Sequence, residues 1–136
     1  MKKFMSFILT MVILTTTLNI ALAAQKPDNS VNSDAVFDSI TTTLTTSKTA
    51  LFSAYKKYVV GSIKVASCWL QKKVGNNWTY VCSLPAPTTE TTNTFGYGDS
   101  MDYSSYIPSD GCTYRVAARY VADGHHATRY SNERTF

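Results

Sequence analysis

The sequence predicts an all-β chain with a single core, folded as a β-sandwich of about six or seven short strands behind a cleavable export signal. Three observations lead there. Apolar and polar residues alternate with a period of two over Ser62 to Lys73, Trp78 to Leu84 and Thr113 to Ala122. Turn-forming residues follow two of these runs, at Gly75-Asn76-Asn77 and Asp123-Gly124. The N-terminus carries Met1-Lys2-Lys3, an apolar run from Phe4 to Leu14 and the small-x-small triplet Ala21-Leu22-Ala23, the three parts of a secretory signal.

The apolar run breaks at Thr15-Thr16-Thr17-Leu18-Asn19, short of the about 20 residues a membrane-spanning helix needs. Residues 1–23 are therefore expected to be a signal peptide and the processed chain to be secreted and extracellular, with no stable membrane insertion. Residues 24–35 are polar and include Pro27, the composition of a flexible lead-in. Residues 36–136 suit one domain. The net charge of +4 includes Lys2 and Lys3, so the processed chain carries +2. It lacks the basic block expected of a nucleic-acid binder, and no nucleic-acid partner is expected.

Along the domain, Val36 to Thr49 is rich in threonine, and Val36, Ile40 and Leu44 share a side when extended, as in a strand. A Ser/Thr-rich stalk is the competing reading, weakened by the absence of proline there. Leu51 to Val60 reads as a further strand, with a helix as the alternative, and Gly61 punctuates the chain. Ser62 to Lys73 places Ala66, Cys68 and Leu70 on one face and Ile63, Val65 and Trp69 on the other, as in a central strand covered on both sides. Gly75 and Asn76 then turn it into the Trp78 to Leu84 strand. Pro85-Ala86-Pro87 stops that hairpin by removing ladder donors. Thr88 to Phe95 is expected as a short edge strand, followed by a tyrosine-rich loop from Gly96 to Gly111. Tyr114, Val116, Ala118 and Tyr120 then face one way with Arg115 and Arg119 facing the other, and Thr128 to Phe136 forms the closing strand.

Export places Cys68, Cys82 and Cys112 where disulfides persist, and three thiols imply one bond and one free cysteine. The hairpin brings Cys68 opposite Cys82 or one residue out of register, which favours that pair; Cys112 is the alternative partner of Cys68.

Ile107-Pro108, Thr113-Tyr114-Arg115-Val116-Ala117-Ala118, Asp123-Gly124 and Ser131 together resemble the last two strands of a fibronectin type III domain, and Val65 to Trp78 is similar to its middle hairpin. The resemblance covers roughly residues 63–135 and implies an immunoglobulin/fibronectin III-like sandwich. It also implies that Tyr114 is the corner tyrosine, its ring in the core and its hydroxyl bonded to backbone upstream. The chain is similar as well to small secreted proteins of Gram-positive bacteria, which implies a location and no activity.

The candidate chemistry is sparse. His125 and His126 are adjacent in a predicted turn and point apart, so neither a metal site nor a histidine-assisted nucleophile is expected. Asp99, Asp102 and Asp110 lack the ligand spacing of a calcium loop and read as turn formers. The two glutamates, Glu90 and Glu133, give little support to a glycosidase pair. Asn77-Trp78-Thr79 has the form of a glycosylation acceptor, discounted beside a bacterial-looking export signal.

No cofactor and no catalysis are expected. Tyr97, Tyr103 and Tyr106, interleaved with Gly and Ser, have the composition of an adaptable binding loop, or cap the core instead. The expected function is thus a secreted, non-enzymatic binding or cell-surface interaction module acting on an unknown protein or cell-surface ligand. Tyr97, Tyr103, Tyr106, His125 and His126 are its candidate contacts. A secreted antimicrobial or toxin-like effector is the alternative, though no basic amphipathic segment supports it.

Overall fold

A computed structural model describes residues 36–136. The expected signal peptide, residues 1–23, and all of the lead-in, residues 24–35, lie outside the described residues. The described chain is all-β, with one antiparallel sheet of seven strands: β1 (Phe37–Leu44), β2 (Thr49–Val74), β3 (Asn77–Leu84), β4 (Glu90–Asp102), β5 (Thr113–Ala122), β6 (His125–Tyr130) and β7 (Arg134–Thr135).

The organising element is β2, which runs for 26 residues where the sequence suggests two strands parted by Gly61. Its first half pairs with β1 on one edge and with the end of β4 on the other. Its second half pairs with β5 and with β3. Gly61 does not take a positive φ and does not stop the strand. Instead, its N–H and that of Ser62 donate to the two carboxylate oxygens of Asp123, at 3.1 and 3.0 Å. The turn between β5 and β6 is thereby fastened to the bend of β2.

Two register shifts set which residues face inward. One lies between Tyr55 and Val60 and places residues 56–59 opposite the single residue Phe95. The other lies between Val65 and Ser67. Because side chains alternate along a strand, each shift changes the parity of the inward face. Ala50, Phe52, Ala54 and Lys56 are buried before the first shift, Ile63 and Val65 after it, and Cys68 and Leu70 after the second. The expected split of Ala66, Cys68 and Leu70 from Ile63 and Val65 is thus corrected: Ile63, Val65, Cys68 and Leu70 join one core, while Ala66 is exposed. Trp69 and Ala117 are also buried, but outside that core, on the opposite face of the sheet where they pair.

The turns follow local chemistry. Gly75, with φ of 61°, occupies the first central position of the two-residue β2–β3 turn, the type II′ arrangement. Asp123 and Gly124 both have positive φ, 47° and 79°, and make the two-residue β5–β6 turn of type I′. Between β1 and β2 the left-handed residue is Lys48, with φ of 63°. A non-glycine residue there costs about 1 kcal/mol or more. Lys48 Nζ donates to the carbonyl of Ile107 at 2.8 Å and to Ser109 Oγ at 2.6 Å, which helps hold it there.

The segment expected as an edge strand and a loop is largely strand. β4 continues through Gly96, Tyr97 and Gly98 to Asp102, because Tyr97 can turn inward while Gly96 lies under the ring of Tyr55. The closing strand is interrupted: β6 ends at Tyr130, and Ser131 and Asn132 leave the ladder before β7.

The sheet folds back so that β1, the first half of β2 and the end of β4 cover β5, β6 and the second half of β2. Polar groups fasten the sheet across its interior. Tyr120 Oη donates to the carbonyl of Thr41 at 2.8 Å and lies 2.9 Å from Thr42 Oγ1. The side-chain amide of Asn132 accepts from Leu44 N at 2.9 Å and donates to its carbonyl at 3.0 Å, as a neighbouring strand would. Tyr114 has its ring in the core, as expected of the corner tyrosine. Its hydroxyl bonds to the side chain of Asp110, four residues upstream, and not to backbone.

The expected disulfide is not formed, and all three cysteines are free thiols. In the β2–β3 ladder Cys68 stands opposite Leu84 and Cys82 opposite Leu70, so the two sulfurs belong to different cross-strand pairs. Diagonal neighbours are about 7–8 Å apart, too far for the Cβ separation a disulfide requires.

Two outcomes follow. Tyr120→Phe keeps the ring and removes both cross-layer hydrogen bonds, and should cost about 1–3 kcal/mol in denaturant unfolding, most of it from the Thr41 and Thr42 oxygens left unpaired. Thiol titration of the denatured, unreduced chain should count three reactive groups, with Cys68 the slowest to react in the native state; a count of one would restore the disulfide.

Candidate functional site

The residues nominated by the sequence are dispersed. Tyr97 sits in β4 opposite Ala54, buried, its ring edge-to-face with Tyr120 at 6.5 Å between centroids. Burial pushes its phenol up to about 12, and its hydroxyl lies near the Val65 backbone without a hydrogen bond of acceptable geometry. Tyr103 is fully buried and donates its hydroxyl to the carbonyl of Pro85 at 2.7 Å. Its own carbonyl receives the N–H groups of Tyr106 and Ile107, which makes it the pivot of the tight turn after β4. Of the three tyrosines Tyr106 alone is exposed, its ring edge-to-face with that of Tyr103. Two of the three rings therefore cap the core.

The histidines lie in β6 rather than in the turn, His125 opposite Ala122 and His126 opposite Val121. Adjacent strand residues point to opposite faces, so the two imidazoles diverge. Nδ1 of His126 is buried without a hydrogen-bond partner among the described residues. Among the described residues no group of His, Cys, Asp and Glu is placed to hold a metal ion.

Tyr106 and His125 also mark opposite ends of the molecule. The Tyr103–Tyr106 turn is bonded to Lys48 at the start of β2, whereas the Asp123 turn is bonded to Gly61 and Ser62 past the bend. The first half of β2 lies between them.

The aspartates act locally. Asp99 accepts from Ser100 N at 2.7 Å and Asp102 from Ser104 N at 2.8 Å. Asp110 accepts from the Tyr114 hydroxyl at 2.9 Å, from Cys112 N at 3.0 Å and from Lys72 Nζ at 3.1 Å. The Tyr114 hydrogen bond, with Cys112 N and Lys72 adding to it, holds the Asp110 carboxyl well below the usual range. Burial pushes the Cys68 thiol up to about 12, beside the Tyr103 hydroxyl, so it is protonated at neutral pH. Burial likewise raises Cys82.

Two surface features were not anticipated. The first is an apolar corner at the bend, where the excess of β2 over β4 leaves Tyr55, Tyr58, Val59 and Phe95 exposed to 59, 52, 47 and 56 %, Tyr58 and Val59 turned to opposite sides of the strand. Tyr55 is fixed there: its ring lies 3.3 Å from where a side chain on Gly96 would begin. Lys56 is buried at the inner side of this corner, under thin cover, and its Nζ has no hydrogen-bond partner among the described residues. Burial lowers its pKa, with Asp123 opposing.

The second feature is a cation–aromatic stack on the outer face of β3, β2, β5 and β6. The Arg115 guanidinium lies 4.2 Å from the centroid of Trp78 and 4.0 Å from that of Tyr130. Its Nε donates to Gln71 Oε1 at 2.7 Å. Lys73 sits over the other part of the same face, 5.7 Å from the Trp78 ring and bonded to Glu133 at 2.9 Å. The outward parity of Arg115 and Arg119 was legible in the alternation of β5; that two aromatic side chains from other strands would enclose one of them was not.

No family model, curated protein or solved structure matches the chain.

The Asp110 cluster makes a pH-dependent prediction. Its folded pKa lies below the unfolded value of about 3.9, so the stability it adds is present above about pH 4 and is lost as pH falls towards the folded pKa. Asp110→Asn should lower the melting temperature at neutral pH and flatten its decline in acid. Equal acid limbs for the two proteins, measured by thermal melts across that range, would remove Asp110 from the account.

Proposed function

We propose that this chain is an exported, non-enzymatic sandwich of the immunoglobulin/fibronectin III-like type that serves as a binding or cell-surface interaction module. The sandwich reading is supported by two groups of antiparallel strands packed over one core, with β2 passing from one group to the other at a bulged bend, as strands do at sandwich corners. Export rests on the N-terminal signal pattern of residues 1–23.

The observation that carries the binding reading is the apolar corner of Tyr55, Tyr58, Val59 and Phe95. Single exposed hydrophobics are ordinary on a soluble domain, whereas four roughly half-exposed large side chains at one bend mark a contact surface. His125 belongs to the hairpin whose turn is bonded to this bend, so it shares this end of the molecule, while Tyr106 lies at the other. The partner is a protein or cell-surface ligand with an apolar recess. Tyrosine and phenylalanine bring large contact area to such a recess at the cost of few rotatable bonds.

The test is binding of the labelled, processed chain to intact producing cells. The double variant Tyr58→Ala, Phe95→Ala should lose about tenfold or more in affinity while its melting temperature holds, since both side chains lie outside the core. Unchanged binding by a folded double variant would remove the corner from the interaction. Dye release from anionic vesicles by the parent chain would instead favour the effector reading, with the aromatic corner entering the bilayer interface.

A further inference from the structure

The outer face of the second layer carries a separate surface, independent of the apolar corner. The alternation of β5 places Arg115, Ala117 and Arg119 on it, since Tyr114, Val116, Ala118 and Tyr120 all enter the core. Arg115 and Arg119 are four residues apart on one strand, a separation of about 13 Å. Lys64 and Lys73 have carboxylate partners, Glu90 at 3.3 Å and Glu133 at 2.9 Å. Neither arginine has one among the described residues. Glu133 acts on Arg115 from beyond ion-pair distance, so the face carries two arginines along a line without a direct carboxylate contact, Arg119 the less compensated of the two.

Its geometry selects the kind of anion. Trp78 and Tyr130 both hold their rings against the Arg115 guanidinium, and Gln71 occupies Nε. The group is thus held flat and pre-oriented, with its terminal N–H groups directed away from Nε, the donor edge that engages a carboxylate or sulfate through two parallel hydrogen bonds. Between the two arginines lies the buried Ala117–Trp69 pair. Trp78 and Tyr130 also present ring surface against which the C–H face of a sugar packs.

The geometry points to this face as a binding site for an acidic polysaccharide, with Arg115 and Arg119 receiving two acid groups of the chain and the flanking rings receiving the sugars between them. A nucleic acid fits less well. Its phosphates recur at every nucleotide, and affinity for them is built from many cationic contacts, whereas this face offers two arginines far apart.

Isothermal titration of the processed chain with polygalacturonate, neutral dextran and duplex DNA at matched ionic strength tests the site. Polygalacturonate should bind, weaken as salt is raised, and exceed both controls. Arg119 is outside the stack, so Arg119→Gln should weaken binding several-fold with no change in melting temperature, and adding Arg115→Gln should bring the loss to about tenfold or more. Arg115→Lys keeps the charge without the planar donor edge and should bind less well than the parent. The site would be overturned by polygalacturonate binding no better than dextran, by a folded Arg119→Gln protein with parental affinity, or by DNA binding more tightly than polygalacturonate.

Discussion

Because one continuous strand pairs with β1, β3, β4 and β5 alike, the placement of nearly every core side chain depends on how β2 bends. A strand that bends this far around an interior must present its inward face to the same core before and after the bend. A regular two-residue repeat running through such a bend does not guarantee that. The two register shifts supply the correction, bringing Ala50, Phe52 and Ala54, then Ile63 and Val65, then Cys68 and Leu70 to one interior. Without the second shift, either Ile63 and Val65 or Cys68 and Leu70 would face outward. Each Ile, Val or Leu so displaced would forfeit about 1.5–3 kcal/mol of burial. The bulges are therefore part of the solution to the packing problem rather than defects in a ladder.

The bend is then held by polar groups that apolar packing cannot replace. Asp123 takes the N–H groups of Gly61 and Ser62, at a place where the β2 ladder is irregular and backbone donors need acceptors. Asn132 plays the corresponding part at the far end, offering the Leu44 backbone both a donor and an acceptor, and Arg134 Nε adds a second bond to the same carbonyl at 3.1 Å. Between them, the Tyr120 hydroxyl ties β5 to β1 from inside the core. Covering the Leu44 backbone in this way also removes part of an exposed strand edge, the kind that invites pairing with another chain.

This arrangement explains what sequence reading could reach. Hairpins were legible because their turns demand particular backbone angles that Gly75 and the Asp123-Gly124 pair supply, and β5 because its ladder is regular. The continuity of β2 was not, since a register shift needs no particular residue and Gly61 looks like punctuation when only neighbours along the chain are considered. The Cys68 and Cys82 expectation failed for a related reason: their offset depends on the ladder register and on the shift between Leu70 and Gln71. Tyr97 misled through its flanking glycines, which suggest a loop; here Gly96 gives way beneath Tyr55 while Tyr97 points into the core. Arg115 and Arg119, four positions apart, are legible as outward, but the partners that enclose Arg115 come from β3 and β6, distant in sequence.

Burying Tyr97 and Tyr103 has a consequence for where recognition can occur. A loop built from exposed tyrosines binds by adapting, and ordering it on contact carries an entropic cost. Here two of the three loop rings are held in the core and Tyr106 alone stays exposed in the turn, while further aromatic surface stands on strands: Tyr55 over Gly96, and Trp78 and Tyr130 about Arg115. Side chains fixed by a ladder and by each other lose little freedom when a partner arrives. The two surfaces also differ in kind, one apolar at the bend and one cationic on a flat face. A single partner would have to match both chemistries around an edge of the molecule, so the physical expectation is two contacts of different specificity on one rigid domain.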